Sequence, residues 1–421
     1  MNKKTFLLIA LPMTFVLWIS NSASAQDWPG FLGENGAARS ADKVPTTWNE
    51  NENLLWKLEL PGSGSSSPVV VGDRVFVTCF NESKKSFSRF VVCADKKTGQ
   101  QLWSKEVPVD YLEDSYRGYI QEHGYASNTP VSDGEMLYVF FGKGGVYALD
   151  LEGNIKWNTI VGEQSSNRQW GSGASLLLHK NIVVVNASDE ARAIIALDKS
   201  TGKEVWRSDS GAIDLAYGTP RVVELSDGTK EIVFSSAAKI WAMDPANGKM
   251  KWSAKTPTAG TVSPSVIVDG ETLYSFGGYR SVGSISVKAG GTGDVSDSNV
   301  NWVSRTSSYV ATPVLHDGKL YWIDDHGLAY SSNAADGETV YRQRVGLTGR
   351  PVYASPVLID GKIYAVTRRA GTIVYQPGAE YVEIARNKIA GDETDFNASP
   401  AVSENRLYLR SNKALYCVGE K

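Results

Sequence analysis

Residues 196–206 read Ala-Leu-Asp-Lys-Ser-Thr-Gly-Lys-Glu-Val-Trp, and this stretch is informative because it recurs along the chain. In it, the Asp198 side-chain oxygen can cap a tight turn, Gly202 can take the left-handed backbone conformation, and Trp206 lies on the next strand. The same three residue types recur at Asp95, Gly99 and Trp103, at Asp244, Gly248 and Trp252, and in a shortened form from Leu149 to Trp157. Such a tryptophan could stack on a ligand, but its recurrence at one register favours packing between neighbouring units.

A second repeated signal marks where each unit begins. Ser or Thr followed by Pro occurs at Ser67-Pro68, Thr129-Pro130, Thr219-Pro220, Ser263-Pro264, Thr312-Pro313, Ser355-Pro356 and Ser399-Pro400. Gly173-Ala174-Ser175 fills the one gap in this series. Successive marks lie 62, 46, 44, 44, 49, 43 and 44 residues apart, which predicts eight units with an insertion in the first.

Each unit contains short apolar runs separated by turns. Asp-Gly pairs occur at Asp133-Gly134, Asp269-Gly270, Asp317-Gly318 and Asp360-Gly361, where glycine supplies the positive φ of a tight hairpin. Four strands per unit is the blade of a β-propeller, so we predict an all-β, eight-bladed propeller of four-stranded antiparallel blades. The last unit ends at a third strand, 414–418, and residues 54–60 have the pattern of a fourth strand. Their pairing would close the ring and leave no open edge between the termini.

The repeats resemble the pyrroloquinoline-quinone (PQQ)-type propeller repeats of bacterial quinoprotein dehydrogenases and of the outer-membrane β-barrel assembly lipoprotein. The resemblance covers nearly the whole mature chain and is clearest at residues 196–206. The opening Trp28-Pro29-Gly30-Phe31-Leu32-Gly33 is similar to that of a family of secreted propellers. The fourth, fifth and last three units depart from the consensus, and the fifth has Gly290-Gly291-Thr292-Gly293 where a compact turn is expected.

The N-terminus has the three parts of an export signal: Lys3 and Lys4, an apolar run over residues 6–19, and Ala23-Ser24-Ala25. We predict cleavage between Ala25 and Gln26 and a secreted or periplasmic protein; an N-terminal membrane anchor is the alternative. The predicted organisation is a signal peptide at 1–25, a lead segment at 26–53 and the propeller at 54–421. A formal charge of −3 does not indicate binding to nucleic acid or to anionic lipid. No later segment is apolar enough to span a membrane. We expect a monomer.

The cysteines are Cys79, Cys93 and Cys417. Cys79 and Cys93 fall on neighbouring predicted strands, so both a disulfide and two buried thiols remain open. Among the four histidines and these cysteines no spacing indicates a metal site, and none is predicted.

The resemblance implies a possible cofactor, because quinoprotein dehydrogenases hold PQQ with calcium above the propeller axis, next to an adjacent Cys-Cys pair. This chain has no Cys-Cys pair and no Asp-rich calcium loop. We therefore expect no cofactor and no catalytic residues. The expected function is a non-catalytic extracytoplasmic scaffold that binds protein or glycan; a PQQ-dependent dehydrogenase that oxidises alcohols or sugars is the alternative.

Candidate binding residues are identified by their position just before the Ser or Thr marks. Just before six of the eight marks stands an aromatic residue: Tyr125, Trp170, Tyr217, Tyr309, Tyr353 and Phe396. These rings could form a collar around a funnel, or they could wedge between blades, and wedging is the favoured interpretation. The long entry segments 111–128 and 165–170 add Glu122, His123, Arg168 and Gln169, with a structural role for His123 as the alternative. Arg350, Arg368 and Arg369 are a second candidate site, for an acidic ligand, with solvated surface charge as the alternative.

Overall fold

Eight antiparallel sheets of four strands form the blades of a closed ring in the computed structural model. The structure describes residues 27–83, 86–209, 213–279, 282–349 and 351–420. The predicted fold is confirmed, whereas the predicted signal peptide and its cleavage point lie outside the described residues. Within those residues, no helix is long and apolar enough to cross a membrane.

The strands of the first four blades follow one another from the axis outward. Blade 1 has β3 (Val69–Val71), β4 (Arg74–Ser83), β5 (Ser86–Asp95) and β6 (Gln101–Val107). Blade 2 has β7 (Val131–Ser132), β8 (Met136–Phe140), β9 (Val146–Asp150) and β10 (Ile155–Thr159). Blade 3 has β11 (Leu177–His179), β12 (Ile182–Ala187), β13 (Ala193–Asp198) and β14 (Glu204–Asp209). Blade 4 has β15 (Arg221–Glu224), β16 (Lys230–Ser236), β17 (Lys239–Met243) and β18 (Met250–Lys255).

The other four blades follow the same order. Blade 5 has β19 (Ile267–Asp269), β20 (Thr272–Gly277), β21 (Gly283–Lys288) and β23 (Val300–Ser304). Blade 6 has β24 (Val314–His316), β25 (Lys319–Ile323), β26 (Leu328–Asn333) and β27 (Thr339–Arg344). Blade 7 has β28 (Val357–Ile359), β29 (Lys362–Val366), β30 (Thr372–Gln376) and β31 (Val382–Asn387). Blade 8 has β32 (Ala401–Ser403), β33 (Arg406–Arg410), β34 (Ala414–Val418) and, as its outer strand, β2 (Leu54–Glu59).

Some short elements lie outside this pattern. They are β1 (Arg39–Ser40), β22 (Gly293–Asp294), the helix α1 (Ile120–His123) and 3-10 turns at Glu34–Gly36 and Gly142–Gly144. β1 pairs in parallel with the inner strand β28, and β22 pairs in parallel with the outer strand β18. The glycine-rich stretch of the fifth unit, which departs from the compact turn of the repeat consensus, thus supplies an extra strand for the neighbouring blade.

A series of seven hydrogen bonds links the blades, from blade 1 to blade 8, where their inner strands begin. In each link the backbone N–H of one unit's mark donates to the side-chain hydroxyl of the next unit's mark, at 2.9–3.1 Å. We name these eight residues the hydroxyl ring; they are Ser67, Thr129, Ser175, Thr219, Ser265, Thr312, Ser355 and Ser399. The predicted mark Ser263 is wrong by two residues, because Ser265 holds the ring position and its N–H donates to Thr312. With this correction the steps of 44 and 49 residues become 46 and 47.

The recurrent tryptophans pack between blades, as predicted. The indole N–H of Trp206 in blade 3 donates to the carbonyl oxygen of Pro245 in blade 4 at 2.9 Å. Its ring lies so close to Gly248 that a Cβ there would come within 2.4 Å of it. The same donor and glycine contacts join Trp56 to Gly99, Trp103 to Gly153, Trp157 to Gly202 and Trp302 to Gly337. Trp252 is the exception, because its indole N–H donates to the buried Glu231 of its own blade at 2.8 Å.

Blade 8 closes the ring with strands from both ends of the chain. β2 pairs antiparallel with β34, from Leu54 opposite Val418 to Glu59 opposite Ala414, which confirms the predicted closure. A buried cation reinforces the junction with blade 1: the Arg410 guanidinium donates to the backbone oxygens of Ser66 and Thr78. These bonds compensate for part of the cost of burying the charge.

The lead segment crosses the face of the propeller where the inner strands end. Pro29 accepts a hydrogen bond from the Ser132 N–H in blade 2, and Asn35 exchanges two with Val222 in blade 4. The segment then pairs with blade 7 through β1, and Trp48 stacks on Tyr364 with the ring centroids 6.3 Å apart. It therefore covers the axis at one end.

The three cysteines are buried free thiols. Cys79 pairs with Phe90 and Cys93 pairs with Phe76 across β4 and β5, so the two cysteines are three positions out of register. An odd offset places their side chains on opposite faces of the sheet, which excludes a disulfide between them.

Ser355→Ala tests the hydroxyl ring. The substitution leaves the buried Thr312 N–H without its acceptor, so we expect the free energy of unfolding to fall by about 1–3 kcal/mol in urea denaturation. Ser403→Ala is the matched control, because Ser403 is fully buried but its hydroxyl has no hydrogen-bond partner. The control should lose no stability, and equal losses in the two variants would contradict a structural role for the ring.

Candidate functional site

An axial funnel of about 180 Å³ opens on the face where the inner strands begin. Seven residues of the hydroxyl ring line its wall, Ser263 does so in place of Ser265, and Phe31 of the lead segment forms its floor. Above the ring lies a set of aromatic side chains that we name the collar: Tyr119, Trp170, Tyr217, Tyr309 and Tyr353. The funnel is therefore a blind pocket with an aromatic rim on a rigid ring of blades.

The structure separates the predicted aromatic residues into two groups. Trp170, Tyr217, Tyr309 and Tyr353 line the funnel, although wedging was the favoured interpretation. Tyr125 is wedged instead, in edge contact with Phe80 and Phe87 at centroid distances of 5.3 and 5.1 Å. Phe396 also lies outside the funnel, because it stacks on Tyr416 within blade 8. Tyr119 was missed, since it precedes α1 and stands ten residues before the mark Thr129.

Trp170 is the centre of the collar. Its ring lies 4.3 Å from the ring of Tyr119 and is stacked near Tyr217 at 6.4 Å. The Arg168 guanidinium lies 5.9 Å from the centroid of the Trp170 ring. Gln169 takes a positive φ of 50°, which turns the backbone just before the ring. These contacts bring two predicted candidates, Arg168 and Trp170, to one part of the rim.

His123 holds Trp170 in place from the end of α1. Its Nε2 lies 2.7 Å from the Trp170 carbonyl oxygen, and its Nδ1 lies 2.6 Å from Ser127 Oγ. Since a carbonyl only accepts, Nε2 carries the proton, and in the neutral ring Nδ1 accepts from the serine. Burial lowers the pKa of His123, which favours this neutral form. His123 is thus placed as a positioning residue for the collar.

The second candidate site, for an acidic ligand, is occupied by the protein's own carboxylates. Arg368 donates to Glu122 at 2.7 Å and to Asp395 at 2.5 Å, and Arg369 donates to Asp395 at 2.6 Å. The Arg368 guanidinium also lies 4.8 Å from the centroid of the Tyr353 ring in the collar. These arginines fix the rim by internal charge pairing, and Arg350 lies outside the described residues.

A buried acidic pair behind the collar was not foreseen. Asp189 and Glu190 are 4% and 3% exposed, and the Tyr217 hydroxyl donates to Asp189 Oδ2 at 3.1 Å. Burial raises the pKa of Asp189 to about 7 and that of Glu190 to about 8, and the charge of Asp189 raises the pKa of Glu190 further. In the sequence they follow Ser188 in what reads as an ordinary polar turn, so only the fold reveals their burial.

The residues present do not fit a quinone with calcium. The three cysteines lie within strands of blades 1 and 8, and none of them lines the funnel. No group of three or more His, Cys, Asp or Glu side chains in the described part of the chain is arranged to hold a metal ion. The wall instead offers aromatic rings and hydroxyls that are engaged in the ring of blade-to-blade bonds.

Fold and site together define the class: an eight-bladed PQQ-type propeller with a blind, aromatic-rimmed axial funnel. The family model described as outer membrane protein assembly factor BamB matches residues 16–167 and 88–343. The chain belongs to this family of PQQ-type propellers.

Individual relatives agree with this assignment. Outer membrane protein assembly factor BamB of Burkholderia pseudomallei is 22% identical over 397 residues, covering 81% of this chain and 93% of the relative. The protein of the same name from Moranella endobia is 24% identical, covering 50% of this chain and 56% of the relative. A polyvinylalcohol dehydrogenase of Sphingopyxis is 25% identical, but the match covers only 33% of that enzyme. The two relatives named as assembly factors are thus matched over more of their own length than the dehydrogenase is.

Solved structures show the same fold. The crystal structure of BamB from Moraxella catarrhalis superposes with a TM-score of 0.61 at 15% identity, covering 87% of this chain and 97% of that chain. A europium-containing methanol dehydrogenase superposes with a TM-score of 0.60 at 12% identity, covering 91% of this chain and 89% of that chain. At such identities the agreement concerns architecture alone, which an assembly factor and an enzyme share.

The buried acidic pair makes stability depend on pH. Unfolded carboxyls titrate near pH 4, so between about pH 4 and pH 8 Asp189 and Glu190 hold more protons in the folded protein than in the unfolded chain. The contribution of this pair to the free energy of unfolding should therefore fall as the pH rises through this window, by about 1 kcal/mol per pH unit for each retained proton. Urea denaturation from pH 5 to pH 8 measures this slope.

Glu190→Gln removes one of the two titrating groups, so its slope should be clearly smaller than that of the wild type. The exposed Glu135→Gln is the control, and it should keep the wild-type slope. Equal slopes in Glu190→Gln and the wild type would contradict the burial of two protonated carboxyls.

Proposed function

We propose that this protein is a non-catalytic extracytoplasmic scaffold whose axial funnel binds a segment of a partner protein. The observation that carries the proposal is the convergence of the five collar rings on one blind funnel. Aromatic side chains on a rigid base offer a large apolar contact area with little loss of conformational entropy on binding. The relatives named as assembly factors support a protein as the partner.

The polar groups of the funnel favour a polypeptide over a glycan. A sugar needs free hydrogen-bonding side chains beside the aromatic surface, but Glu122 accepts from Arg368 and both ring nitrogens of His123 are engaged. The amide N–H₂ of Asn397 donates to the Glu122 carbonyl oxygen at 2.6 Å. What the collar presents is therefore mainly apolar, and it suits the aromatic or aliphatic side chains of a protein segment.

The location and the oligomeric state belong to the same proposal. The export signal read from the sequence supports a secreted or periplasmic protein. Closure of blade 8 by β2 and β34 uses strands of one chain, which supports a monomer as the working unit. No cofactor is part of the proposal.

Site-specific photo-crosslinking tests the funnel as a protein-binding site. Benzoylphenylalanine replaces Tyr309 in one variant and Tyr353 in a second, each expressed in the organism of origin and irradiated in intact cells. Both variants should capture the same protein, because both positions border one funnel. Adding Trp170→Ala should lower the crosslinked yield at least about fivefold, since the loss of a buried aromatic anchor costs more than about 1 kcal/mol.

Benzoylphenylalanine at Leu102 is the control, since this residue is exposed on the outer strand of blade 1. It should not capture the same protein. An absence of protein adducts at both funnel positions would overturn the proposal and leave a glycan as the candidate ligand. Dye reduction with alcohols or sugars by the purified protein supplied with PQQ and calcium would favour the dehydrogenase.

A further inference from the structure

A second cavity lies on the opposite face of the propeller, beneath the lead segment. Its volume is about 540 Å³, and it is lined by residues 29–31 and 33–35 of the lead segment and by residues of blades 2 to 5. Phe31 borders both this cavity and the funnel, so its side chain forms the partition between them. The cavity is separate from the collar and is not used by the function proposed above.

Arg221, the first residue of β15, borders this cavity with a side chain that is nearly inaccessible from outside. The residue is 3% exposed. Its Nη2 donates to the Phe31 carbonyl oxygen over a long 3.4 Å, and its guanidinium lies 5.7 Å from the centroid of the Phe31 ring. A guanidinium has five N–H groups, so most of its donors are not used by this contact.

No carboxylate among the described residues forms an ion pair with Arg221. The other arginines buried at this level have strong acceptors: Arg89 is paired with Glu113 at 2.5 Å, and Arg410 is bonded to the carbonyl oxygens of Ser66 and Thr78. Desolvation alone lowers the pKa of Arg221 to about 10, with no acidic neighbour to offset it. An uncompensated buried cation is costly, and an anion in contact with it would recover part of that cost.

The surrounding charges leave Arg221 as the strongest cationic group facing the cavity. Lys230 is already paired with Glu224 at 3.1 Å, and burial with nearby lysines lowers the pKa of His179, which favours its neutral form. Glu34 also borders the cavity, but it is exposed to solvent, and water screens its charge.

The lead segment fixes the orientation of the guanidinium. Gly36, at a positive φ of 72°, lies against it so closely that a Cβ would come within 2.2 Å of the Arg221 Cζ and Nε atoms. With Gly36 and Phe31 both in contact, the side chain is held in one arrangement at the cavity wall. A pre-oriented planar fork is the geometry that binds an oxyanion through two parallel hydrogen bonds.

We infer that the cavity beneath the lead segment is an oxyanion-binding site, with Arg221 as the residue that binds a phosphate or carboxylate group. Both groups present two oxygens to a guanidinium fork in the same way. Binding there would also stabilise the lead segment, because residues 29–31 and 33–35 form one wall of the cavity.

Thermal unfolding at constant ionic strength tests the site. Inorganic phosphate, acetate and chloride are titrated separately against the exported protein. Phosphate or acetate should raise the melting temperature in a saturable manner, and chloride should not. Stronger stabilisation by phosphate would indicate a phosphate-bearing ligand, and stronger stabilisation by acetate would indicate a carboxylate.

Arg221→Met should lower the affinity of the protein for the stabilising oxyanion at least about tenfold, the loss expected when a hydrogen bond to a charged group is removed. Arg207→Met is the control, because it removes an exposed arginine paired with Glu204 in blade 3 and should leave binding unchanged. If Arg221→Met does not fold, the NMR signal of the Arg221 Nε–H group in the ¹⁵N-labelled wild type provides the readout. This signal is assigned as the one that is missing from the spectrum of Arg221→Lys. Equal effects of the three salts, an unchanged affinity in Arg221→Met, or an Nε–H signal that phosphate and acetate leave unmoved would overturn the inference.

Discussion

The hydrogen bond from the backbone N–H of one mark to the hydroxyl of the next is the interaction on which the molecule depends. Seven such bonds of 2.9–3.1 Å join the blades from blade 1 through to blade 8. Each bond satisfies a buried N–H group just before an inner strand, where water cannot take the place of the hydroxyl acceptor. Only Ser and Thr supply a hydroxyl short enough to bridge two inner strands, and the proline that usually follows has no N–H that would need a partner. This series of hydrogen bonds therefore sets the position of each loop that carries a collar residue.

Outside this series of hydrogen bonds, the packing between blades is less uniform. Tryptophan on glycine joins five pairs of blades, but blade 4 uses β22 instead, and the junction of blades 6 and 7 has Tyr341 near Tyr381 with centroids 6.4 Å apart. The lead segment covers blade 7 through β1 and Trp48, and it reaches blade 8 through hydrogen bonds of Asp42 and Lys43 with Asn405. Where the tryptophan–glycine contact is absent, other parts of the chain thus contribute to the outer packing. The hydrogen bond between the marks of neighbouring blades is kept there.

Much of the fold could be predicted from the sequence, because a repeated interaction leaves a repeated residue. Ser355 and Trp206 are informative for that reason: each marks a contact that occurs several times around the ring. Ser265 was missed because Ser263-Pro264, two residues earlier, has the same appearance, and only the hydrogen bond to Thr312 distinguishes the two serines.

The site was less predictable, because its contacts occur once. Trp170 and Tyr353 were found from their position before a mark, yet the same rule also selected Tyr125, which packs on Phe80 and Phe87. Side-chain direction in a loop depends on neighbours far away in the chain. Burial of Asp189 and Arg221 likewise depends on neighbouring blades and on the lead segment, which no local pattern encodes.

Native-state hydrogen exchange at the backbone N–H groups of the hydroxyl ring tests the central role of these hydrogen bonds most directly. If the ring holds the blades in one cooperative unit, its donor N–H groups should exchange together, with the free energy of global unfolding. They are those of Ser67, Thr129, Ser175, Thr219, Ser265, Thr312 and Ser355. Exchange of some of these groups through local opening, at a free energy well below that of global unfolding, would contradict the account.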